Sequence, residues 1–468
     1  MSIFNSCYTV GEISSILEDV KARLHFVGVL GAGMYPLATL LCRRGFSVSG
    51  SDDAAKDDAY TDENGIEISR ATPPADASAV IYSLAVDESN SEIQYALSHG
   101  IPLISRAQLL GAVMRKYGIR IAVSGSHGKS TTTAIIDHVL SVSGLSHTTV
   151  SGARLSSGDA LYDGGGDVFV AEGCEYKDSF LCLCPSHLVI TSVELDHTDY
   201  FKDTDMLRAS FIRAAMRADT VIVNTDDPGA AAIYDALTQR QGPGRVYTYG
   251  KSERADYRFS LLGRDGDLTR FSVTTPRGVF DLTTRLMGEF NLYNLTAAVA
   301  LSDVLGIGAE AVAEAVAAFV SIDRRLERIS TVGGVPIYYD YAHHPTEIRA
   351  ALSALKERYG SVSVIFRPHT YSRTKSLWAD FVRELSRADH TVLLDVYPAR
   401  EEYVPGVDSR LLAKEIPNCT YALPGDATKV ALSYGADAVV LMGAGEVEGI
   451  KREFIRLSKN TGTDPERR

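Results

Sequence analysis

The chain has 468 residues, 45% of them hydrophobic and 23% charged, with a formal charge of −12. That length exceeds one ordinary core and predicts about two to four domains, in a folded globular chain rather than a disordered one. The acidic balance argues against a nucleic-acid partner and against an anionic-membrane surface, since both need clustered Lys and Arg; a few basic groups in one cleft still suffice for a nucleotide.

The first 24 residues carry Glu12, Glu18 and Asp19 and lack an apolar stretch behind a basic flank, so no secretory signal is expected. Six cysteines without such a signal predict reduced thiols and a cytoplasmic protein. Residues 24–34 read Leu-His-Phe-Val-Gly-Val-Leu-Gly-Ala-Gly-Met, an apolar strand running into a turn. A helix over Tyr35–Arg44, Gly45 as its C-cap, a strand Phe46–Ser49 and Asp52 follow. This is a βαβ opening. Its glycines at 28, 31 and 33 are spaced GxxGxG, a poor match to the GxGxxG of NAD sites. A backbone cradle for a diphosphate survives either spacing, and a ligand-free tight turn is the alternative. Further strands are expected at Ala79–Ser83 and Ile101–Ile104, with the segment ending near residue 117.

The apolar run Ile119–Val123 leads into Ser-Gly-Ser-His-Gly-Lys-Ser-Thr-Thr-Thr at 124–133. Gly125 and Gly128 free backbone N–H groups to face phosphate oxygens, Lys129 can reach the terminal phosphates, and the Ser130 hydroxyl can ligate Mg²⁺. The following helix adds its positive end. Two residues separate the glycines, against four in a common P-loop, so a shortened nucleotide loop is expected. Strands Val168–Ala171, Leu188–Val193 and Thr220–Val223 each run into polar or acidic residues, as in an open parallel sheet with its ligands beyond the strand ends. Glu172 and His197 follow two of them; a carboxylate beside Ser130 suits Mg²⁺, and His197 is either a ligand or a hydrogen-bonded structural histidine. Cys174, Cys182 and Cys184 near His187 fit no zinc spacing and read as small buried side chains. Residues 245–285 read as an antiparallel insert, and 295–320 as two helices parted by Gly306 and Gly308 with no membrane span.

The third segment, 322–468, has strand candidates at Pro336–Tyr339, Val362–Phe366, Thr391–Leu394 and Ala438–Leu441 and ends in a frayed tail. Arg325 lies at its start, as a phosphoryl-stabilising arginine or as part of a surface charge cluster. Asp340 heads Asp-Tyr-Ala-His-His-Pro, where pattern does not separate His343 from His344. Pro368–Thr374 offers His369 and Arg373, the latter suited to a carboxylate, with a solvated loop as the alternative.

In this order, over about residues 24–450, these motifs resemble the Mur ligase family. His25–Met34 is similar to its first glycine loop, Gly125–Thr133 to its ATP loop, Ala171–Leu181 to its acidic metal-binding stretch and Glu194–Asp199 to its histidine motif. Gly288–Asn294 is similar to its adenine-side motif; Arg325, Asp340 and His343 match the domain-junction arginine and the Asp-Tyr-Ala-His loop. Pro368–Thr374 and Leu393–Pro398 are the branch-specific matches. The resemblance implies a three-domain α/β protein: a Rossmann-like N-terminal domain (1–117), a central P-loop ATPase-like parallel-sheet domain (118–321) and a C-terminal Rossmann-like α/β domain (322–468).

The implied activity uses ATP and Mg²⁺ to join L-alanine to the lactyl carboxylate of UDP-N-acetylmuramate. The resemblance assigns catalysis to Lys129, Glu172, His197 and Arg325, and metal binding to Ser130, Glu172 and His197. ATP falls to Gly125, Ser126, His127, Gly128, Lys129, Ser130, Thr131, Asn291, Asn294, Arg325 and Asp340. The UDP-sugar falls to Gly28, Gly31, Ala32, Gly33, Met34, Ser51, Asp52, Ser83 and Arg106, and the amino acid to His343, His369 and Arg373. Other branches carry a lysine in the region that here reads Ala209-Ser210-Phe211-Ile212-Arg213; its absence leaves the alanine-adding branch and a peptide-recycling branch. The recycling branch has an Arg-Ser-Asn type sequence at 368–374, and this chain does not. The chain departs from the family pattern at Ser126 and Ser130 (usually threonines), at Leu30 (a glycine), at Gly173-Cys174 (Ala-Asp) and at Thr370 (an arginine). Rivals of another class are a Rossmann dehydrogenase and a catalytically silent nucleotide-binding protein.

Overall fold

Three sheets carry the chain in a computed structural model that describes residues 10–70, 75–197, 200–239, 244–399, 401–445 and 447–460. Thr198 and Asp199 of the histidine motif and the tail 461–468 lie outside the described residues. The first sheet has six strands in the order Ala59–Thr61, Glu67–Ser69, Ser47–Ser51, Arg23–Val27, Ala79–Tyr82, Leu103–Ser105. Its pairings are parallel except at the Ala59–Thr61 edge. The chain leaves Arg23–Val27 for one neighbour and later returns to the other side, so the glycine turn after this strand sits at a topological switch point, where open α/β sheets bind ligands.

The second sheet has ten strands, with Ile119–Ser124 between Val168–Gly173 and His187–Ile190, both parallel to it. These are short, apolar, almost wholly buried runs, as strands covered on both faces must be. The strand expected at Leu188–Val193 ends at Ile190, because the next residues turn out of the ladder and hold the phosphate loop: Ser192 O accepts the Ser126 amide at 2.8 Å. The insert is antiparallel only over Tyr257–Asp265, Leu268–Thr275 and Gly278–Thr284. Arg245–Gly250, read as part of it, pairs parallel with Thr220–Asn224 after the crossover helix Pro228–Thr238. Alternating polarity reports a half-exposed strand; the connection decides its direction.

The third sheet runs Glu327–Val332, Val335–Asp340, Ala438–Met442, Val362–Phe366, His390–Leu393, Cys419–Tyr421, with only the first pair antiparallel. The two Ala-rich helices are Glu289–Val304 and Ala309–Ala318. By packing, the chain forms two compact units, Met1–Thr284 with Tyr293–Phe319, and Arg285–Leu292 with Val320–Arg468. In the first unit, side chains from the first two sheets join one buried cluster that runs from Ile13 to Leu237. The helix Arg106–Met114 approaches so closely that a Cβ on Gly111 would lie 2.1 Å from the Cys182 carbonyl oxygen. In the second unit, one face of the sheet packs around Phe366 and Phe381, the other around Tyr339 and Phe454.

Candidate active site

The buried strand Ile119–Ser124 delivers the loop 125–128 to the N-terminus of the helix Lys129–Val142. Gly125 and Gly128 have φ of +143° and +83°, conformations that favour glycine. Space also demands them: a Cβ at Gly125 would lie 2.1 Å from Thr191 Oγ1, and one at Gly128 2.7 Å from Asn294 Oδ1. Asn294 Oδ1 accepts the Thr132 hydroxyl at 3.2 Å, which fixes that helix against the loop. Asn291, one turn earlier, donates to the Met287 carbonyl at 2.8 Å. Thr131 is buried in the first helical turn. Ser126 Oγ donates to Glu194 O at 2.7 Å and accepts the Glu194 amide at 2.9 Å; His127 Nε2 lies 3.0 Å from Glu194 Oε2.

Around this loop the structure gathers the expected Glu172 and one further acid, Glu175. Ser130 Oγ donates to Glu172 Oε2 at 2.9 Å, and Glu172 Oε1 accepts Ser151 Oγ at 2.7 Å and the Gly152 amide at 2.8 Å. Lys129 Nζ donates to Glu175 Oε2 at 3.0 Å, to Ser126 O at 3.3 Å and, at short range, to Gly125 O. Burial opposes the Lys129 charge, but Glu175, then Cys174 and Glu172, outweigh it and hold the ammonium above its usual pKa. His197, at φ +53°, places Nε2 3.9 Å from Glu175 Oε1, and its ring lies against Tyr176. Glu175, only 2% exposed, therefore joins Lys129 to His197. The motif Cys174-Glu175-Tyr176 contains it, but its partner depends on the turn Tyr176–Cys182, where Lys177 and Asp178 adopt positive φ.

Ser130 and Glu172 offer hard oxygens side by side at a phosphate loop, a donor set that fits Mg²⁺. Two carboxylates lie beside His197 Nε2, Glu175 Oε1 at 3.9 Å and Asp196 Oδ2 at 4.0 Å.

In the first sheet, Ser51 O accepts the amides of Gly28 at 2.8 Å and Val29 at 3.0 Å. Asp52 accepts the amides of Leu30 at 2.9 Å and Ala54 at 3.0 Å. Gly31 and Ala32 are exposed, Met34 is buried, and Arg106 Nη1 donates to Gly33 O at 3.3 Å. A Cβ on Gly33 would lie 3.1 Å from the Arg106 guanidinium. Ser83, at the end of the adjacent strand, accepts the Ala85 amide at 3.3 Å. The Ser51 hydroxyl points inward to Glu92.

In the second unit, Asp340 is buried and accepts the amides of Leu326 at 2.8 Å and Ala342 at 2.7 Å. Burial raises its pKa to about 6, against the neighbouring Arg325 charge and these two bonds. The Arg325 guanidinium lies over the Tyr341 ring at 5.6 Å. His343 Nδ1 lies 3.0 Å from Tyr341 O and its ring 5.9 Å from that of His369. His344 separates from it structurally: buried, it caps the helix Pro345–Lys356 by accepting the Thr346 amide. Arg373 Nη1 donates to His369 Nδ1 at 3.2 Å, so His369 carries its proton on Nε2. Tyr397 stacks on His369 and lies under Arg367; sequence reasoning singled out neither Tyr397 nor Arg367 by role. Thr370 has φ +65° and accepts the Arg373 amide. The three expected amino-acid residues thus come together.

Three family models match the chain: the Mur ligase family catalytic domain over residues 23–118, the Mur ligase middle domain over 123–302 and the Mur ligase glutamate ligase domain over 324–445. A UDP-N-acetylmuramate–L-alanine ligase from Thermobifida fusca is 37% identical over 454 residues, covering 92% of this chain and 95% of its own. Its counterpart in an Arthrobacter species is 39% identical over 406 residues, with 84% and 85% covered. Among solved structures, the UDP-N-acetylmuramate–alanine ligase of Thermotoga maritima superposes with a TM-score of 0.77 at 25% identity, over 94% of this chain and 99% of that one. A murein peptide ligase from Psychrobacter arcticus shares the fold, with a TM-score of 0.66 at 20% identity over 94% and 99% of the two chains. Relatives that match nearly end to end, together with a shortened phosphate loop flanked by acids, place the three-domain α/β chain: it belongs to the Mur ligase family and is an ATP-dependent acid–amino-acid ligase.

Proposed function

We propose that this enzyme joins L-alanine to the lactyl carboxylate of UDP-N-acetylmuramate, with ATP and Mg²⁺, in the cytoplasm, as a step of peptidoglycan precursor synthesis. The observation that carries the reading is the Ser130–Glu172 and Lys129–Glu175 pairing at the mouth of a glycine loop ahead of a helix N-terminus. In this reading residues 1–117 hold the UDP-sugar, 118–321 hold ATP, and 322–468 hold the amino acid. A lactyl carboxylate oxygen attacks the γ-phosphorus, the bond to ADP breaks, and an acyl phosphate forms. The alanine amine then attacks the acyl carbon, loses a proton, and expels phosphate.

Lys129 binds the transferring phosphoryl group, exchanging the loop carbonyls and Glu175 for phosphate oxygens; Arg325 adds a second positive charge there. Ser130, Glu172 and His197 would hold Mg²⁺, which neutralises the charge of two anions brought together. Arg373 and His369 take the amino acid's carboxylate, Arg373 by paired N–H donors, with His343 beside them. Asp52 shapes the UDP-sugar loop: one of its oxygens accepts the Leu30 amide and the other the Ala54 amide.

Phosphate release should require ATP, Mg²⁺, UDP-N-acetylmuramate and L-alanine together. The assay is run across L-alanine, glycine, L-serine and L-Ala-γ-D-Glu-diamino acid. Preference for the tripeptide would assign the enzyme to peptide recycling instead, and nucleotide binding with no turnover on any acceptor would leave a silent nucleotide-binding protein.

A further inference from the structure

Beneath the first glycine loop lies a buried polar cluster whose side chains the ligation chemistry does not use. Glu92, on the helix Ser91–Ser98, is 3% exposed. One carboxylate oxygen lies 3.1 Å from His25 Nε2, and the other accepts the Ser51 hydroxyl at short range. His25 Nδ1 lies 3.0 Å from Ser49 Oγ. An ionised Glu92 accepting from both Ser51 Oγ–H and His25 Nε2–H, with Ser49 donating to Nδ1, satisfies every group in the set. Such a carboxylate is costly to bury without these bonds, and its place in the first turn of a helix favours the negative charge.

The cluster runs from the middle of two adjacent strands, at His25 and Ser49, to the end of one of them, at Ser51. His25 is the register partner of Ser49, and Val27 that of Ser51. The glycine loop begins one residue after Val27, and its first two amides hang on the carbonyl of Ser51, the residue whose hydroxyl Glu92 holds. We infer that Glu92 is a positioning residue for the sugar-nucleotide substrate: by clamping Ser51 and His25 it sets the strand end from which the loop 28–34 is built. This rests on the reading that this loop takes the UDP-sugar.

The test measures KM for each substrate, kcat and thermal melting for Glu92→Gln and Ser51→Ala. Glu92→Gln keeps the shape but turns one acceptor into a donor, so KM for UDP-N-acetylmuramate should rise about tenfold, the scale of one lost bond to a charged acceptor. KM for ATP and L-alanine and kcat at saturation should stay within about twofold for this variant, because Glu92 touches neither. Ser51→Ala should raise the same KM in the same direction, which keeps the test decisive if Glu92→Gln folds poorly. A melting temperature that falls while KM for the UDP-sugar stays put would reduce Glu92 to a fold-stabilising group and overturn the inference. Gly28→Ala, which strains the loop at φ +75° while its Cβ meets open space, separates the two readings. If it raises KM for the UDP-sugar while the other variants do not, positioning by Glu92 fails alone. If it leaves that KM unchanged, or calorimetry detects no UDP-sugar binding to the wild type, the site reading itself fails.

Discussion

Lys129 holds its charge in a crowded place because Glu175 faces it, and that contact ties a loop lysine to a residue on the neighbouring strand's outgoing turn. Lys129→Ala removes the charge at the helix start that we propose binds the phosphoryl group. Turnover should fall on the order of 10³-fold, the scale of losing a preorganised electrostatic contact in an enclosed site. Steady-state kinetics on a variant whose circular dichroism matches wild type checks this, and near-normal turnover would remove Lys129 from the mechanism. Glu172 was legible as a partner of Ser130 because a carboxylate at the end of an apolar strand beside a phosphate loop has few other uses. Glu175 was not legible as the partner of Lys129, and Glu92 was not legible at all. Glu92 meets His25 across 67 positions of sequence, and no local spacing encodes such a contact.

The phosphate loop is an element whose shape is set by two glycines for two reasons, backbone angle and space. Gly128→Ala brings a Cβ to within 2.7 Å of Asn294 Oδ1 as well as straining φ. Strain alone costs about 1–2 kcal/mol, whereas the clash pushes on the helix that holds the loop in place. KM for ATP should therefore rise at least about tenfold. Gly144→Ala, past the far end of the same helix at φ +71° with open space around it, carries the strain without the clash. It should leave KM for ATP unchanged; equal effects of the two would show that strain, not packing against Asn294, governs the loop. The central strands such as Ile119–Ser124 and Val362–Phe366 were legible because burial on both faces requires unbroken apolar runs. The short strands Ala59–Thr61, Glu67–Ser69 and Cys419–Tyr421, at or next to sheet edges, were not: three residues long and partly exposed, they carry no run to detect.

At the scale of the whole molecule, the glycine loop 125–128, where we propose ATP binds, belongs to a unit with its own continuous core, so in that proposal nucleotide binding couples to that unit's stability. A non-hydrolysable ATP analogue with Mg²⁺ at about 100 times its Kd should add about 2.7 kcal/mol to the unfolding free energy, read as a higher melting temperature in calorimetry. Lys129→Ala should lose most of that gain. An equal shift in both proteins would place the nucleotide away from this loop. Among the described residues no helix is long and apolar enough to cross a membrane.

By itself the sequence determined the class of chemistry and the order of its parts. The two-residue spacing between Gly125 and Gly128, the lysine after it, and acids after successive apolar strands are local patterns, and local patterns survive in one dimension. The tertiary structure alone decided which side chains share a site. It set Glu175 between Lys129 and His197, turned the Ser51 hydroxyl inward to Glu92, and parted His344, a helix cap, from His343, which lies by His369. Those choices depend on strand order, on which way each β-strand residue faces, and on turns with left-handed residues. None of these is a property of neighbouring positions, and each is settled only when distant strands pack around one core.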